Sequence, residues 1–450
     1  MIARTTTSVS HAARAALAAL AAFVLSLAPL QPGAAVFEQT NLVSSVSGLA
    51  SHTDANLKNP WGIAFSATGP FWVANQVTNK ATVYNGAGQP FPTSTPLVVT
   101  LVTSGGPTGL VFNATSDFQL FTGGAATFLF ATLSGSIEGW NPGHGTMTEV
   151  RVLATDGASY TGLAPGNNGS GNFLYAADTA NNKIDIYDAQ FQKTSVAGSF
   201  TDPVLPAGFT VYNIQNLAGT LFVTYENESA GGGIVDAFDL NGNFLRRVTA
   251  NAAGGPLDSP WGLVIAPASF GPFGGALLVG NEGNGRISAF NPVTGQFLGQ
   301  LLDAHANPIA NPGLWGLIFG NGGNGGETGV LYFAAGIDDE QQGLFGSIRL
   351  VVASGCVTNL SGRGTPAGRA PARVDLTWTA LAGAARYDVL RGTASGGPYV
   401  AVGTTTNNYF SDTVGLVSGT TYYYVLQPRN AANVAICQSN EARVTIPVAR

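Results

Sequence analysis

The chain has 450 residues, 45% of them hydrophobic and 10% charged, with 60 glycines, two cysteines and a formal net charge of −6. That apolar content excludes intrinsic disorder and supports a large core, while the glycine excess suits an all-β protein with many tight turns. The negative balance argues against nucleic acid phosphates and anionic lipid headgroups as partners.

Residues 1–35 read as a secretory signal peptide. Arg4 and Arg14 precede the apolar stretch Ala15 to Leu30, which ends in Gly33-Ala34-Ala35. No later segment approaches the ~20 apolar residues of a spanning helix. The mature chain is therefore expected to be secreted, periplasmic or held at the cell envelope, with no membrane span.

From Pro60 to Val351 one phrase recurs six times, at steps of about 50 residues. It is written Pro60-Trp61-Gly62-Ile63, Pro107-Thr108-Gly109-Leu110, Tyr160-Thr161-Gly162-Leu163, Tyr212-Asn213-Ile214, Pro260-Trp261-Gly262-Leu263 and Leu314-Trp315-Gly316-Leu317. In the first repeat the short runs Gly62–Ser66, Phe71–Ala74, Ala81–Tyr84 and Leu97–Val102 are separated by turn formers such as Thr68-Gly69-Pro70 and Asn85-Gly86. No run long enough for a helix shows helical periodicity. The pattern predicts an all-β fold, a six-bladed β-propeller over residues 36–353. The sixth repeat offers only Trp315–Phe319, Val330–Ala335 and Gly346–Val352. Its fourth strand is expected from Phe37–Val46, which would close the ring and leave no long edge exposed.

Beyond residue 353 the pattern changes, with residues 354–373 predicted as a linker and first strand and 374–450 as the rest of a second domain. Val374–Trp378, Tyr387–Gly392, Tyr399–Gly403, Thr420–Leu426 and Ala442–Ile446 look like the strands of a fibronectin type III β-sandwich. Trp378 is its expected core tryptophan, and Tyr422 or Tyr424 its corner tyrosine. Cys356 and Cys437 both fall here, and in an oxidising compartment they are predicted to form a disulfide.

Several phrases are distinctive together: Asn41-Leu42-Val43-Ser44, His52-Thr53-Asp54-Ala55-Asn56-Leu57, Asn59-Pro60-Trp61-Gly62, Gly69-Pro70-Phe71-Trp72-Val73-Ala74-Asn75, Ser259-Pro260-Trp261-Gly262-Leu263 and Gly313-Leu314-Trp315-Gly316-Leu317. On these the chain resembles a family of secreted bacterial six-bladed propellers, related to NHL-type repeats and often carrying a PEP-CTERM sorting tail. The resemblance implies architecture and export, and no activity. The final residues Ile446-Pro447-Val448-Ala449-Arg450 lack the hydrophobic tail of that family, so sorting by that route is not expected.

In such a ring the loops leaving the second strands and those leading into the first strands meet at one face around the axis. That face gives the ligand-binding candidates Asn59, Asn75, Asp178, Asn213, Glu226, Asn281 and Asp338. Their oxygens could supply the roughly six to eight hard ligands that Ca²⁺ takes, with Asp178, Asn213 and Asn281 as the metal candidates. The competing reading is that Asn and Asp occupy turns because they bond their own backbone. Trp61, Trp261 and Trp315 are either core wedges between blades or a channel lining that stacks on sugars.

No Gly-x-Ser-x-Gly elbow, His-Glu-x-x-His pair or phosphate loop is present, and His52, His144 and His305 sit in loop-like contexts without an evident acid partner. No residue is assigned a catalytic role. The expected function is binding of an extracellular protein or glycan. The alternative is a calcium-dependent hydrolase of the lactonase type, its metal polarising a carbonyl on the axis.

Overall fold

The computed structural model describes residues 36–303, 305–351, 356–368, 370–381, 383–429, 433 and 435–448. The signal peptide expected over 1–35 and the domain boundary expected at 353–354 lie outside them. Among the described residues there is no α-helix, only single 3-10 turns at Pro142–His144 and Gly271–Phe273.

Short apolar runs bounded by Gly, Asn and Pro become short strands, arranged as meanders. β1 (Val36–Ser44) and β2 (His52–Thr53) precede the first sheet, β3 (Pro60–Ala64), β4 (Phe71–Asn75), β5 (Lys80–Tyr84) and β6 (Val98–Thr100). The second holds β7 (Pro107–Phe112), β8 (Phe128–Thr132), β9 (Ser136–Trp140) and β10 (Glu149–Leu153). The third holds β11 (Tyr160–Asn167), β12 (Asn172–Asp178), β13 (Lys183–Asp188) and β14 (Lys193–Thr194). The fourth is β15 (Thr210–Leu217), β16 (Thr220–Glu226), β17 (Gly233–Phe238) and β18 (Phe244–Asn251). The fifth is β19 (Pro260–Ile265), β20 (Leu277–Asn281), β21 (Ile287–Phe290) and β22 (Phe297–Gln300). In all five, neighbouring strands are consecutive and antiparallel.

The sixth sheet draws on both ends of this region. β23 (Leu314–Phe319), β24 (Leu331–Ala335) and β25 (Leu344–Val351) pair in order, and β1 runs antiparallel to β25, from Val36 opposite Val351 to Ser44 opposite Leu344. β2 adds in parallel to β1. The strand expected to complete the sixth repeat therefore does so, and it anchors through Phe37, whose ring lies 4.9 Å from Phe270 and 5.9 Å from Phe273 of the fifth repeat.

First strands pack side by side in a cycle: β3 on β7, β7 on β11, β11 on β15, β15 on β19, β19 on β23, and β23 back on β3. The glycine of the repeated phrase is what permits this approach. A Cβ on Gly62 would stand 2.5 Å from Thr108 O, on Gly262 2.3 Å from Trp315 O, and on Gly316 2.5 Å from Trp61 O. No side chain fits there, so the phrase sets the spacing between sheets. In the fourth repeat Asn213 fills the slot and instead donates from Nδ2 to the equivalent carbonyl, Trp261 O, at 2.8 Å.

The second domain has two sheets. One holds β26 (Ser361–Thr365), β27 (Arg373–Thr377) and β30 (Tyr409–Asp412); the other holds β28 (Arg386–Gly392), β29 (Val400–Thr405), β31 (Thr421–Arg429) and β32 (Ala442–Thr445). Val374, Leu376, Trp378, Tyr387, Val389, Tyr424 and Val444 form one buried cluster. The Tyr422 hydroxyl accepts from the backbone N–H of Val417 at 3.1 Å, while Tyr424 donates to the Asp412 carboxylate at 2.9 Å, so of the two it is Tyr422 that bonds the upstream backbone. Cys356 and Cys437 are joined in a disulfide, as expected.

Candidate functional site

One residue stands immediately before the glycine slot in each repeat. In chain order these residues are Trp61, Thr108, Thr161, Tyr212, Trp261 and Trp315, and the four aromatics bury one another in a single cluster. Trp61 stacks on Trp315 at 3.6 Å between centroids, Trp261 meets both edge-on at 5.9 Å, and Tyr212 lies 5.9 Å from Trp315. They bury one another between adjacent repeats, Trp61 and Trp261 each against Trp315, so they are core wedges and not an open sugar platform. The two threonines leave the needed room and turn their hydroxyls to neighbours: Thr108 Oγ1 donates to Tyr160 O at 2.6 Å, and Thr161 Oγ1 meets Thr179 Oγ1 at 2.6 Å. Trp261 Nε1 donates to Thr161 O and Trp315 Nε1 to Asn59 Oδ1, both at 2.9 Å.

The aromatic cluster lies near the starts of the first strands. Along the first strands beyond it lies a cavity of about 200 Å³, lined by residues such as Ile63, Phe65, Leu110, Phe112, Leu163, Ile214 and Leu317. On the other side is a mouth built from the loops that leave the second strands. Register places those loops beside the starts of the first strands: Glu226 is opposite Thr210, Asn281 opposite Pro260, and Ala335 opposite Leu314. One backbone bond repeats there, Gln76 N–H to Asn59 O, Thr179 N–H to Ser159 O and Glu282 N–H to Ser259 O, at 3.0, 3.0 and 2.9 Å.

Three successive sheets each deliver a glutamate to this mouth. Glu226 ends β16, Glu282 follows β20, and Glu340 lies in the loop after β24, where its Oε2 accepts from Asn59 Nδ2 at 3.0 Å. Burial lifts the Glu226 carboxyl to about 7, opposed by a hydrogen bond from Ser259 and reinforced by Glu228. Burial, then repulsion from Glu340, Glu226 and Asp258, pushes Glu282 up to about 8. Tyr212 belongs to the buried aromatic cluster, and its phenol is held well above the ordinary value by burial and then by the charges of Glu226, Glu282, Glu340 and Glu228.

The other expected site residues lie elsewhere or are occupied. Asn75 is fully buried in the first sheet and donates to Val73 O and Thr82 Oγ1. Asn281 accepts from the Asp258 N–H and donates to Pro256 O and Arg286 O. Asp178 accepts from the N–H groups of Ser159 and Asn181. Asn213 spends its amide on Trp261 O and its own chain at the Ile214 N–H. Asp338 is exposed in a turn at φ +58°. Thus Asn59 meets Glu340, whereas Asp178, Asn213 and Asn281 spend their side-chain atoms on local hydrogen bonds. The reason is local: a short side chain at a strand end reaches the adjoining backbone before it reaches the axis.

Among the described residues, the trio of carboxylates whose oxygens lie within 4.8 Å of one another is Asp156, Asp178 and Asp185. Lys183 Nζ sits 2.6 Å from Asp156 and 3.2 Å from Asp185, and Lys193 Nζ sits 2.7 Å from Asp185, so two ammonium groups already fill this trio. Sequence also gave His144 no acid partner, whereas its Nε2 lies 3.2 Å from Glu149 Oε2.

No family model matches the chain. An uncharacterised protein of Acanthamoeba polyphaga mimivirus is 32% identical over 325 residues, covering 68% of this chain and 78% of the relative. A second uncharacterised protein of that virus is 29% identical over 335 residues, covering 70% and 86%. An Fn3-like protein from Clostridium thermocellum is 33% identical over 20% of this chain and 94% of its own, with a TM-score of 0.17. A beta-1,2-glucanase from Parabacteroides distasonis is 13% identical over 54% of this chain and 36% of its own, also with a TM-score of 0.17. Superpositions this poor assign neither fold nor activity. The shared identity over most of both sequences shows that this chain belongs to the family of the first of these uncharacterised mimivirus proteins.

Proposed function

We propose that residues 36–351 form a six-bladed β-propeller of the NHL-like kind, that 356–448 form a fibronectin type III-like sandwich, and that the chain is a secreted binding module with its ligand at the axial mouth. The cyclic packing of the six first strands supports the propeller. The observation that carries the functional reading is the delivery of Glu226, Glu282 and Glu340 by three successive sheets to loops at the end of the first strands where the aromatic cluster lies. An acidic lining of this kind suits a cationic group. The acidic lining favours an extracellular protein or amine over a neutral glycan as partner. The disulfide fits an oxidising destination.

The lactonase-type hydrolase has one observation in its favour: a carboxyl near 7, at Glu226, suits a general base. Assay of a panel of γ- and δ-lactones, with and without millimolar CaCl₂, separates the two readings. Binding alone leaves every lactone at its buffer rate. Turnover that Glu226→Gln abolishes would replace the binding module by a hydrolase.

A further inference from the structure

The cavity along the first strands has a chemistry of its own, independent of the acidic mouth. It measures about 200 Å³, and no described residue of its wall is acidic or basic. Ile63, Leu110, Leu163 and Leu317 give it apolar walls, and Trp261 belongs both to this wall and to the aromatic cluster. Leu110, Leu163, Ile214 and Leu317 are buried, whereas Phe65, Phe112, Pro165 and Ile318, farther along their strands, are half-buried. The space therefore deepens toward the strand starts and opens toward the strand ends.

Size and polarity then narrow the occupant. An apolar cavity of about 150 Å³ walled by Leu, Ile and Phe is large enough to take up benzene, so this one accommodates a single ring with a short substituent. A charged ligand is disfavoured, because no counter-charge stands in the wall to offset the loss of hydration. Hydrogen-bonding capacity is nevertheless present. Each first strand is the terminal strand of its sheet, so one edge of its peptide groups has no ladder partner. Among the side-chain amides of the wall, Asn213 is committed to Trp261 O and the Ile214 N–H, and Asn216 to Pro165 O and the Gly219 N–H. Gln215, half-buried between them, makes no side-chain hydrogen bond to any described residue. Its amide offers both a donor and an acceptor to whatever enters.

We propose that this axial cavity binds a neutral, single-ring molecule that sets its apolar faces against Phe65, Phe112 and Leu317 and presents a hydroxyl or carbonyl to the Gln215 amide. This site lies apart from the mouth and adds a second ligand class to the chain, since Glu226, Glu282 and Glu340 are not part of its wall.

The test uses the full chain with benzyl alcohol, toluene, sodium benzoate and benzylammonium chloride as probes, read by titration calorimetry and by tryptophan fluorescence, to which Trp261 in the wall contributes. Benzyl alcohol should saturate both signals. Benzoate and benzylammonium, with the same ring and nearly the same size, should bind this cavity about tenfold more weakly or worse. Ile318→Trp extends a half-buried side chain into the space and should weaken benzyl alcohol by about tenfold or more while the chain still melts cooperatively. Should that variant not fold, Ile63→Phe on the adjacent first strand makes the same test. Gln215→Leu should bring benzyl alcohol down to the affinity of toluene and leave toluene itself within about twofold of the parent. The proposal is overturned if benzyl alcohol gives no saturable response, if the filled variant binds it as the parent does, or if either charged probe binds as tightly and loses that binding in Ile318→Trp. The binding reading of the mouth stands or falls separately, on the lactone panel and Glu226→Gln.

Discussion

A single methyl group tests how closely the first strands are held. Gly262→Ala and Gly316→Ala each drive a Cβ against a neighbouring backbone carbonyl, at 2.3 and 2.5 Å, and a carbonyl cannot swing aside as a long side chain can. Each should cost about 1–3 kcal/mol, read from urea denaturation midpoints at unchanged m-value. The mouth glutamates make a second prediction. An unfolded glutamate titrates near 4.3, while Glu226 and Glu282 do so at about 7 and 8, so between those limits the folded chain carries more protons than the unfolded one. Their contribution is fully present below the unfolded value and is lost as pH rises through about 7 to 8. Stability should therefore decline from about pH 5 to pH 9, and Glu282→Gln should flatten that decline by on the order of 1–3 kcal/mol. Thermal melts of parent and variant across the range would show it; identical pH profiles would contradict the assignment.

At the scale of elements, β1 has the most leverage. Deleting residues 36–44 strips β25 of its partner along eight paired positions and removes Phe37 from Phe270 and Phe273. The truncated chain should lose its cooperative transition and scatter light, because an unpaired hydrophobic edge templates aggregation. This pairing was legible in advance because the sixth repeat was one strand short and the only spare strand stood before the first. The strands themselves were legible for the same reason, since period-two apolar runs and Asn-Gly turns repeat without helical competition. The mouth was legible only nearly. The pattern points to Asn281 and Asp338, whereas the carboxylates whose charge raises the Tyr212 phenol are Glu282 and Glu340, one and two residues on. Where a strand ends, one residue decides whether a side chain turns to the axis or to its own loop, and strand ends cannot be located that finely from apolar pattern. The slot aromatics carried a usable signal: aligning Tyr212 with Trp61, Trp261 and Trp315 places all four at one height.

Across the whole molecule, acids outnumber bases more than twofold from 36 to 353, while arginines outnumber acids after 354. The basic sandwich is the part that depends on a covalent tie. Replacing both Cys356 and Cys437 by serine opens a loop of sequence separation 81 and should lower the stability of this domain by about 4 kcal/mol on the chain-entropy model. Scanning calorimetry should show that transition falling while the transition of residues 36–351 stays in place. A common shift of both would mean that the two parts unfold as one unit.

The antiparallel match of Val36 with Val351 also dictates a timetable. Five meanders consist of consecutive strands and can form while synthesis continues, but β1 lacks its antiparallel partner β25 until about three hundred further residues have emerged. Through that interval the strand must be kept from wrong pairings, a task suited to a chaperone. Circular permutants that begin at the first β-turn of another meander would remove the delay, and their refolding should be faster than that of the natural order.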